Sequence, residues 1–306
     1  MSDAPRDAPH DESEIEGSRA PLLDHLIELR QRLIFCVAGF FVAFVVCFAF
    51  SEQLLEFLIR PFAIAAQLLA VRQSQVHGGG NAVLGALAGA KDMILALVGL
   101  LHLPPPTGKV TSLIATAPLE VFFAKVKLGA FGGLILAFPV LAWQIYAFVA
   151  PGLYKRERRA FLPFLLAAPV LFLLGAALVY YMIMPFVLFV SLSQQIVGGT
   201  GISVQLMPKV SDYLDLLTTL VLCFGLFFQL PVVLTLVAMA GLVSSKTLIG
   251  GWRFAVAGIV IAAAIVTPPD PFSMTFLSLP IIGLYFVSIG CVRLIEGRRA
   301  KEDLPA

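Results

Sequence analysis

The sequence predicts an all-α integral membrane protein, six transmembrane helices in a concave bundle with both termini on the cytoplasmic side. Three observations carry that prediction. Hydrophobic residues make up 59% of the 306 and charged residues 13%, with 25 Phe, more apolar side chain than a soluble core of this size needs. Apolar runs of membrane-crossing length recur along the chain. Lys and Arg collect in alternate connections between those runs, which fixes the cytoplasmic side.

Residues 1–20 are acidic and carry prolines without an apolar run, and are expected to form a disordered cytoplasmic tail with no cleavable signal peptide. The membrane domain is expected over 21–293. It opens with an amphipathic stretch in which Leu22, Leu26, Leu29 and Leu33 recur at helical spacing. Within it Glu28 precedes Arg32 by one helical turn, the favourable order for a local ion pair. The first span runs from about Leu33 to Phe50, and an extramembrane region follows to about Pro118.

Ala82–Leu103 is also apolar and long, but Lys91 and Asp92 interrupt it. Each would cost about 2.5–3.5 kcal/mol at mid-bilayer. A span there would also turn the most basic connection outward. Residues 63–103 are therefore expected to be an extracytoplasmic insertion with one or two helices lying on the membrane or on the protein. Gly78-Gly79-Gly80 is its hinge and Pro104-Pro105-Pro106 its stop.

The second span covers about Phe122–Phe148, the third Phe161–Tyr181, the fourth Leu216–Met239, the fifth Phe254–Val266 and the sixth Phe272–Val292. A basic cytoplasmic tail, 294–306, closes the chain. Lys155, Arg156, Arg158 and Arg159 crowd the second connection, and Lys246 and Arg253 mark the fourth. The third carries Lys209, and the fifth, Thr267–Pro271, carries no base. Prolines 139, 163, 169, 231 and 280 lie inside spans. Each removes a backbone donor and bends its helix, which argues for a curved wall. At 1.5 Å per residue the fifth span covers roughly 20 Å of about 30 Å of hydrocarbon.

Candidate functional residues are few. Glu157 is the one acid among four bases in the loop after the second span. Two readings stand: it relieves repulsion in a loop whose task is topology, or it is aimed at a cationic ligand. Paired with Glu28 on the same rim, it would suit two neighbouring guanidinium groups, which match carboxylates in bidentate geometry where Lys does not. The four cysteines lie in apolar runs without metal-ligand spacing, and neither a metal nor a cofactor is expected. No nucleic-acid partner is expected either. His10, His25, His77 and His102 all fall outside the spans and no HExxH pattern occurs, which speaks against an intramembrane protease. A secondary transporter of a small solute is the rival reading, because bent helices are its habit. It needs ionisable groups near mid-membrane, whereas Glu120, Lys125, Lys127, Asp212 and Asp215 sit near span ends.

Three stretches in register complete the reading: His25–Leu33 (HLIELRQRL), Phe148–Arg159 (FVAPGLYKRERR) and Thr267–Asp270 (TPPD). They resemble the signature regions of TatC, the core receptor subunit of the twin-arginine protein translocase. The resemblance covers about Pro21–Pro61 and Lys109–Val292. It implies a cup-shaped six-helix protein of the bacterial inner membrane that is not an enzyme. Such a protein binds the twin-arginine signal peptides of folded proteins. With TatA- and TatB-type single-span subunits, in a multimeric complex within membrane lipid, it exports them using the proton-motive force. By that resemblance Glu28 and Glu157 receive the signal-peptide arginines, and Arg30, Leu33 and Phe148 line the same site. Pro61 matches a functional proline after the first span, and Thr267 and Asp270 match a region where a partner helix docks. This chain departs from the family at Gln229, where a Glu is common in the fourth span, and at Met274, where some members carry Gln. Gln229 is expected to face the concave side or a partner, with a helix–helix hydrogen bond as the alternative.

Overall fold

The computed structural model describes residues 10–75, 91–92, 94–96, 113–149, 155–193, 208–239, 241–266 and 271–302. In chain order the helices are α1 (His10–Ala49), α2 (Ser51–Gln75), α3 (Glu120–Val149) and α4 (Lys155–Leu178). A π-helical turn, Val179–Ile183, then leads into α5 (Met184–Ser193). They are followed by α6 (Val210–Phe227), α7 (Leu230–Met239), α8 (Ser245–Gly250), α9 (Trp252–Val266) and α10 (Pro271–Glu302). Five stretches are long and apolar enough to cross a membrane: Leu26–Ala49, Glu120–Ile145, Leu166–Leu188, Val210–Met239 and Met274–Gly297. Trp252–Val266 is a sixth, shorter apolar helix. That is the expected all-α membrane architecture, the short fifth span included. Among the described residues the only extended pairing is a single bridge between Ile114 and Lys209.

The structure differs from the sequence expectation in three places. Helix α1 begins at His10, inside the stretch expected to be a disordered tail, and runs on through Gly17 and Pro21 although both are poor helix formers. Helix α2 covers the start of the expected insertion, but Leu58, Phe62 and Ala65 are buried in the main core, so α2 is part of the bundle wall. The remainder of the insertion, apart from 91–92 and 94–96, lies outside the described residues. The third span runs on through the π turn into α5, well past Tyr181. In that turn the Met184 N–H reaches back to the Val179 carbonyl, five residues away.

The core is built where α2, α3, α4–α5, α6 and α10 meet. Leu128, Ile183, Met184, Leu217, Leu220, Phe224 and Ile281 are almost wholly enclosed there. In hydrocarbon, where apolar burial gives little drive, helices associate through close approach of small residues. An added Cβ at Gly225 would lie 2.5 Å from the Phe172 ring, and one at Gly175 would lie 2.8 Å from the Phe224 carbonyl oxygen. These glycines let α4 and α6 cross almost backbone to backbone. Pro139 and Pro280 sit inside α3 and α10, and the fourth span breaks at a turn, Phe228–Gln229, just before Pro231.

Helix α1 stands apart. Only 6% of its membrane stretch is buried, and it leans on α3. Gly39 faces Val140, Phe44 faces Gly133, and Phe48 faces Gly129, an antiparallel register. The contacts at Gly133 are backbone contacts: an added Cβ would meet Phe44 Cα at 2.8 Å and Phe44 N at 2.9 Å.

Candidate functional site

The register of α1 on α3 sets the first half of the site. Continued toward the start of α1, it brings Leu33 and Glu28 level with the last turn of α3, which carries Phe148 and ends at Val149. Helix α4 starts six residues later at Lys155, with Glu157 in its first turn. Glu28, Arg30, Leu33, Phe148 and Glu157 therefore share one end of the bundle. Leu33 and Arg30 are exposed, and Glu28 and Phe148 are half-buried. The side chain of Glu157 lies outside the described residues.

Glu28 already has a guanidinium partner. Arg32, one turn on, donates from Nε to Glu28 Oε1 at 3.1 Å and from its Nη2 to the same oxygen. This is the ion pair that the i,i+4 spacing predicts. Any further cation approaching Glu28 would have to share this carboxylate with Arg32 or displace it.

The opposite end is held by a second set of polar contacts. Glu120 accepts hydrogen bonds from the Thr116 and Ala117 backbone N–H groups, from Thr116 Oγ1, and from the backbone and hydroxyl of Ser211. One carboxylate thus satisfies donors at the starts of both α3 and α6. The Ile114 bridge joins the same two segments, through Ile114 N–H to Pro208 O and Val210 N–H to Ile114 O. Lys127 pairs with Asp215, and Lys125 with Glu52 at 2.7 Å. The hydrogen bond from Lys125 and its charge hold the Glu52 carboxyl below the usual range.

Pro61 has a structural consequence that its sequence does not announce. It lies inside α2, where the missing N–H leaves the carbonyl of Phe57, four residues back, without its helical donor. Tyr180, in the π turn, donates its hydroxyl to that Phe57 carbonyl at 2.7 Å. Tyr213 donates to the next carbonyl, Leu58, also at 2.7 Å. The Phe57 and Tyr180 rings stack with centroids 4.5 Å apart, and Phe62 meets Tyr213 edge-on at 5.7 Å. Two phenols from two walls thus hold α2 by the carbonyls around its proline.

A thermodynamic cycle tests this arrangement. Tyr180→Phe leaves a part-buried carbonyl unpaired, a loss of about 1 kcal/mol. Pro61→Ala restores an N–H able to serve Phe57 O, so Tyr180→Phe should cost much less in that background. Thermal unfolding of the four proteins in detergent reads the coupling, and equal losses in both backgrounds would show that the phenol does not serve the proline-freed carbonyl.

Gln229 is half-buried and its Nε2 donates to the Ala168 carbonyl of α4 at 2.9 Å. That is the helix–helix hydrogen bond, the alternative to an amide turned toward the concave side or a partner. Thr267 and Asp270 lie outside the described residues. Among the described residues no group of three or more His, Cys, Asp or Glu side chains lies close enough to hold a metal ion. Sequence reading did not single out Glu120, Tyr180 or Tyr213 as anchors. Their partners are up to 155 residues away, and no local pattern marks such pairings.

Comparison with known proteins bears on the family and the overall fold. A family model for the Sec-independent protein translocase protein (TatC) matches residues 24–280. The TatC of Magnetococcus marinus is 36% identical over 285 residues, covering 93% of this chain and 88% of that protein. The Deinococcus radiodurans TatC is 33% identical, covering 92% and 88%. A crystal structure described as the twin arginine translocase receptor TatC is similar in fold, with TM-score 0.63 and 27% identity over 88% of this chain and 98% of that one. A second, of the same receptor in DDM, gives TM-score 0.65 with the same identity. The chain belongs to the TatC family of Sec-independent protein translocase proteins.

Proposed function

We propose that this protein is the signal-peptide-binding subunit of a twin-arginine translocase, with Glu28 and Glu157 receiving the paired arginines. The observation that supports this reading most is the α1–α3 register, which carries Glu28 to the end of the bundle where α4 begins with Glu157. Arg30, Leu33 and Phe148 complete the surface around the acids, Leu33 and Phe148 offering apolar contact to the segment beside the arginines. Two carboxylates on neighbouring helices match two guanidinium groups, and an otherwise basic rim rejects other cationic segments.

In this reading both termini and the acid-bearing end face the cytoplasm of a bacterium, because the bases cluster at that end. TatA- and TatB-type single-span subunits assemble on the wall near α9. Its 15 residues span only about 22 Å, which would let a polar partner group pack beside its end at Thr267 and Asp270. Pro61 acts through α2, whose docking shapes the other end of the bundle. Folded substrates are then carried across by the assembled complex, driven by the proton-motive force.

Two experiments check the proposal. A twin-arginine peptide bearing a photoreactive residue beside the arginines should crosslink to α1 near Leu33 and to the start of α4. Crosslinks confined to the α2 end would overturn it. For orientation, a cysteine at Ser244 in intact cells should be shielded from an impermeant label and one at Gly199 should react. The reverse pattern would contradict the both-ends-inside arrangement.

A further inference from the structure

At the end of the bundle that carries α8, a groove of about 530 Å³ opens between the α8–α9 corner and α10. Ile249, Trp252, Phe286, Ile289, Gly290 and Arg293 line it. Four of the six are large and apolar, so the floor and walls suit hydrocarbon. A transmembrane helix is about 10 Å across even at its slimmest, so this volume takes roughly one turn of it. A slender, flexible chain fits where a helix does not, and the size lies within the roughly 300–1,000 Å³ of small-molecule sites.

The mouth of the groove has the opposite chemistry. Arg293 lies in the last turn and a half of the membrane-length stretch Met274–Gly297, at headgroup depth. Its guanidinium presents a planar fork of donors that matches phosphate. Trp252 opens α9 at the same level, where an indole prefers to sit. The Arg253 guanidinium stands 5.8 Å from the Trp252 ring centroid, in cation–π geometry. The acid of this corner, Glu296, accepts from the Ser245 backbone N–H at 2.8 Å and from the Ser245 hydroxyl, and Lys246 and Arg293 both stand near it. Three bases against one acid leave the mouth positive.

We propose that this groove binds one acyl chain of an anionic glycerophospholipid, with its phosphate held by Arg293 and flanked by Arg253 and the Trp252 indole. The inference rests on the membrane crossing of α10 and is independent of signal-peptide binding and of which end faces the cytoplasm. Bound there, the lipid fastens the α8–α9 corner to α10 from outside, alongside the Tyr285 hydroxyl, which donates to the Leu248 carbonyl at 2.7 Å from within.

Gly290 makes the test clean, because a Cβ added there meets nothing within 4 Å. Gly290→Leu places its side chain in the groove from an unobstructed Cβ position. The full-length protein, stripped of lipid in detergent, is mixed with dioleoyl phosphatidylglycerol or dioleoyl phosphatidylcholine and bound lipid is counted by native mass spectrometry. Wild type should hold one phosphatidylglycerol about tenfold more tightly than phosphatidylcholine. Gly290→Leu should weaken both lipids, and Arg293→Gln should weaken phosphatidylglycerol more than phosphatidylcholine, whose choline already offsets the phosphate charge, and so shrink the preference severalfold. Lipid-free melting temperatures establish that each variant is folded. If Gly290→Leu is not folded, the Arg293→Gln comparison decides alone. Equal binding of the two lipids by wild type, or an unchanged preference in Arg293→Gln, would overturn the proposal. So would retention of phosphatidylglycerol by a folded Gly290→Leu, which would assign binding to the basic surface in general, and a loss only of partner-subunit capture, which would assign the groove to protein.

Discussion

Gly133→Leu is expected to detach α1 from the bundle and abolish export. The position tolerates no side chain, since even a Cβ would meet Phe44 Cα at 2.8 Å and its backbone nitrogen at 2.9 Å. Backbone cannot rotate away as a side-chain tip does, so the whole helix must move. Overpacking in ordinary cores costs about 1–3 kcal/mol, and α1 has little else to hold it, with 6% of its membrane stretch buried. Gly129 and Gly132 lie on the same contact, each with an added Cβ within 3.1 Å of α1 or its junction with α2, so no neighbouring register is open to it.

The expected displacement has a direct readout. A Cβ built on Gly39 lies 3.9 Å from Val140 Cβ, close to the mean spacing of about 3.8 Å in disulfides. A Gly39→Cys/Val140→Cys pair, in a background lacking Cys36, Cys47, Cys223 and Cys291, should oxidise readily and lock α1 to α3. Adding Gly133→Leu should abolish that crosslink together with signal-peptide binding. A crosslink that forms as fast as before would mean that α1 docks by other contacts.

What was legible in the sequence follows from the range over which each feature is determined. The spans come from the thickness of the hydrocarbon, a constraint on consecutive residues, and so the fifth, expected at Phe254–Val266 and found at Trp252–Val266, is recognisable as short from its apolar length and the Thr267-Pro268-Pro269 stop. The Glu28–Arg32 pair is a property of one helical turn. Helix α2 falls in the region expected to lie outside the membrane, its second half, from Ala63, in the expected insertion. Its burial depends on Leu58, Phe62 and Ala65 meeting walls supplied by Tyr180 and Tyr213 far along the chain. The π turn at Val179–Ile183 has no sequence mark of its own; its effect appears when Tyr180 is seen to reach Phe57. Glu120 looked like a charge at a span end, and its task of joining two helix starts needs Ser211, 91 positions on. For the candidate site, the rim acids were read from motif and charge pattern, while the register that brings Glu28 toward α4 depends on glycines whose role only packing reveals.

The most direct test of the central claim is a binding cycle on the two acids. Wild type, Glu28→Gln, Glu157→Gln and the double variant are reconstituted in lipid discs, and affinity is measured for a twin-arginine peptide and its twin-lysine counterpart. A charge-assisted hydrogen bond contributes about 1.5–3 kcal/mol, against about 0–1 for an exposed ion pair. Glu157→Gln should therefore weaken twin-arginine binding by roughly tenfold or more, since about 1.4 kcal/mol is one decade. Glu28→Gln alone should cost less, because the wild-type carboxylate gives up Arg32 when it takes a peptide arginine. The double variant should lose most, and exchanging arginines for lysines should harm wild type far more than the double variant. An equal loss in both proteins would contradict the account, because the acids would then act only through their negative potential and would not hold the arginines.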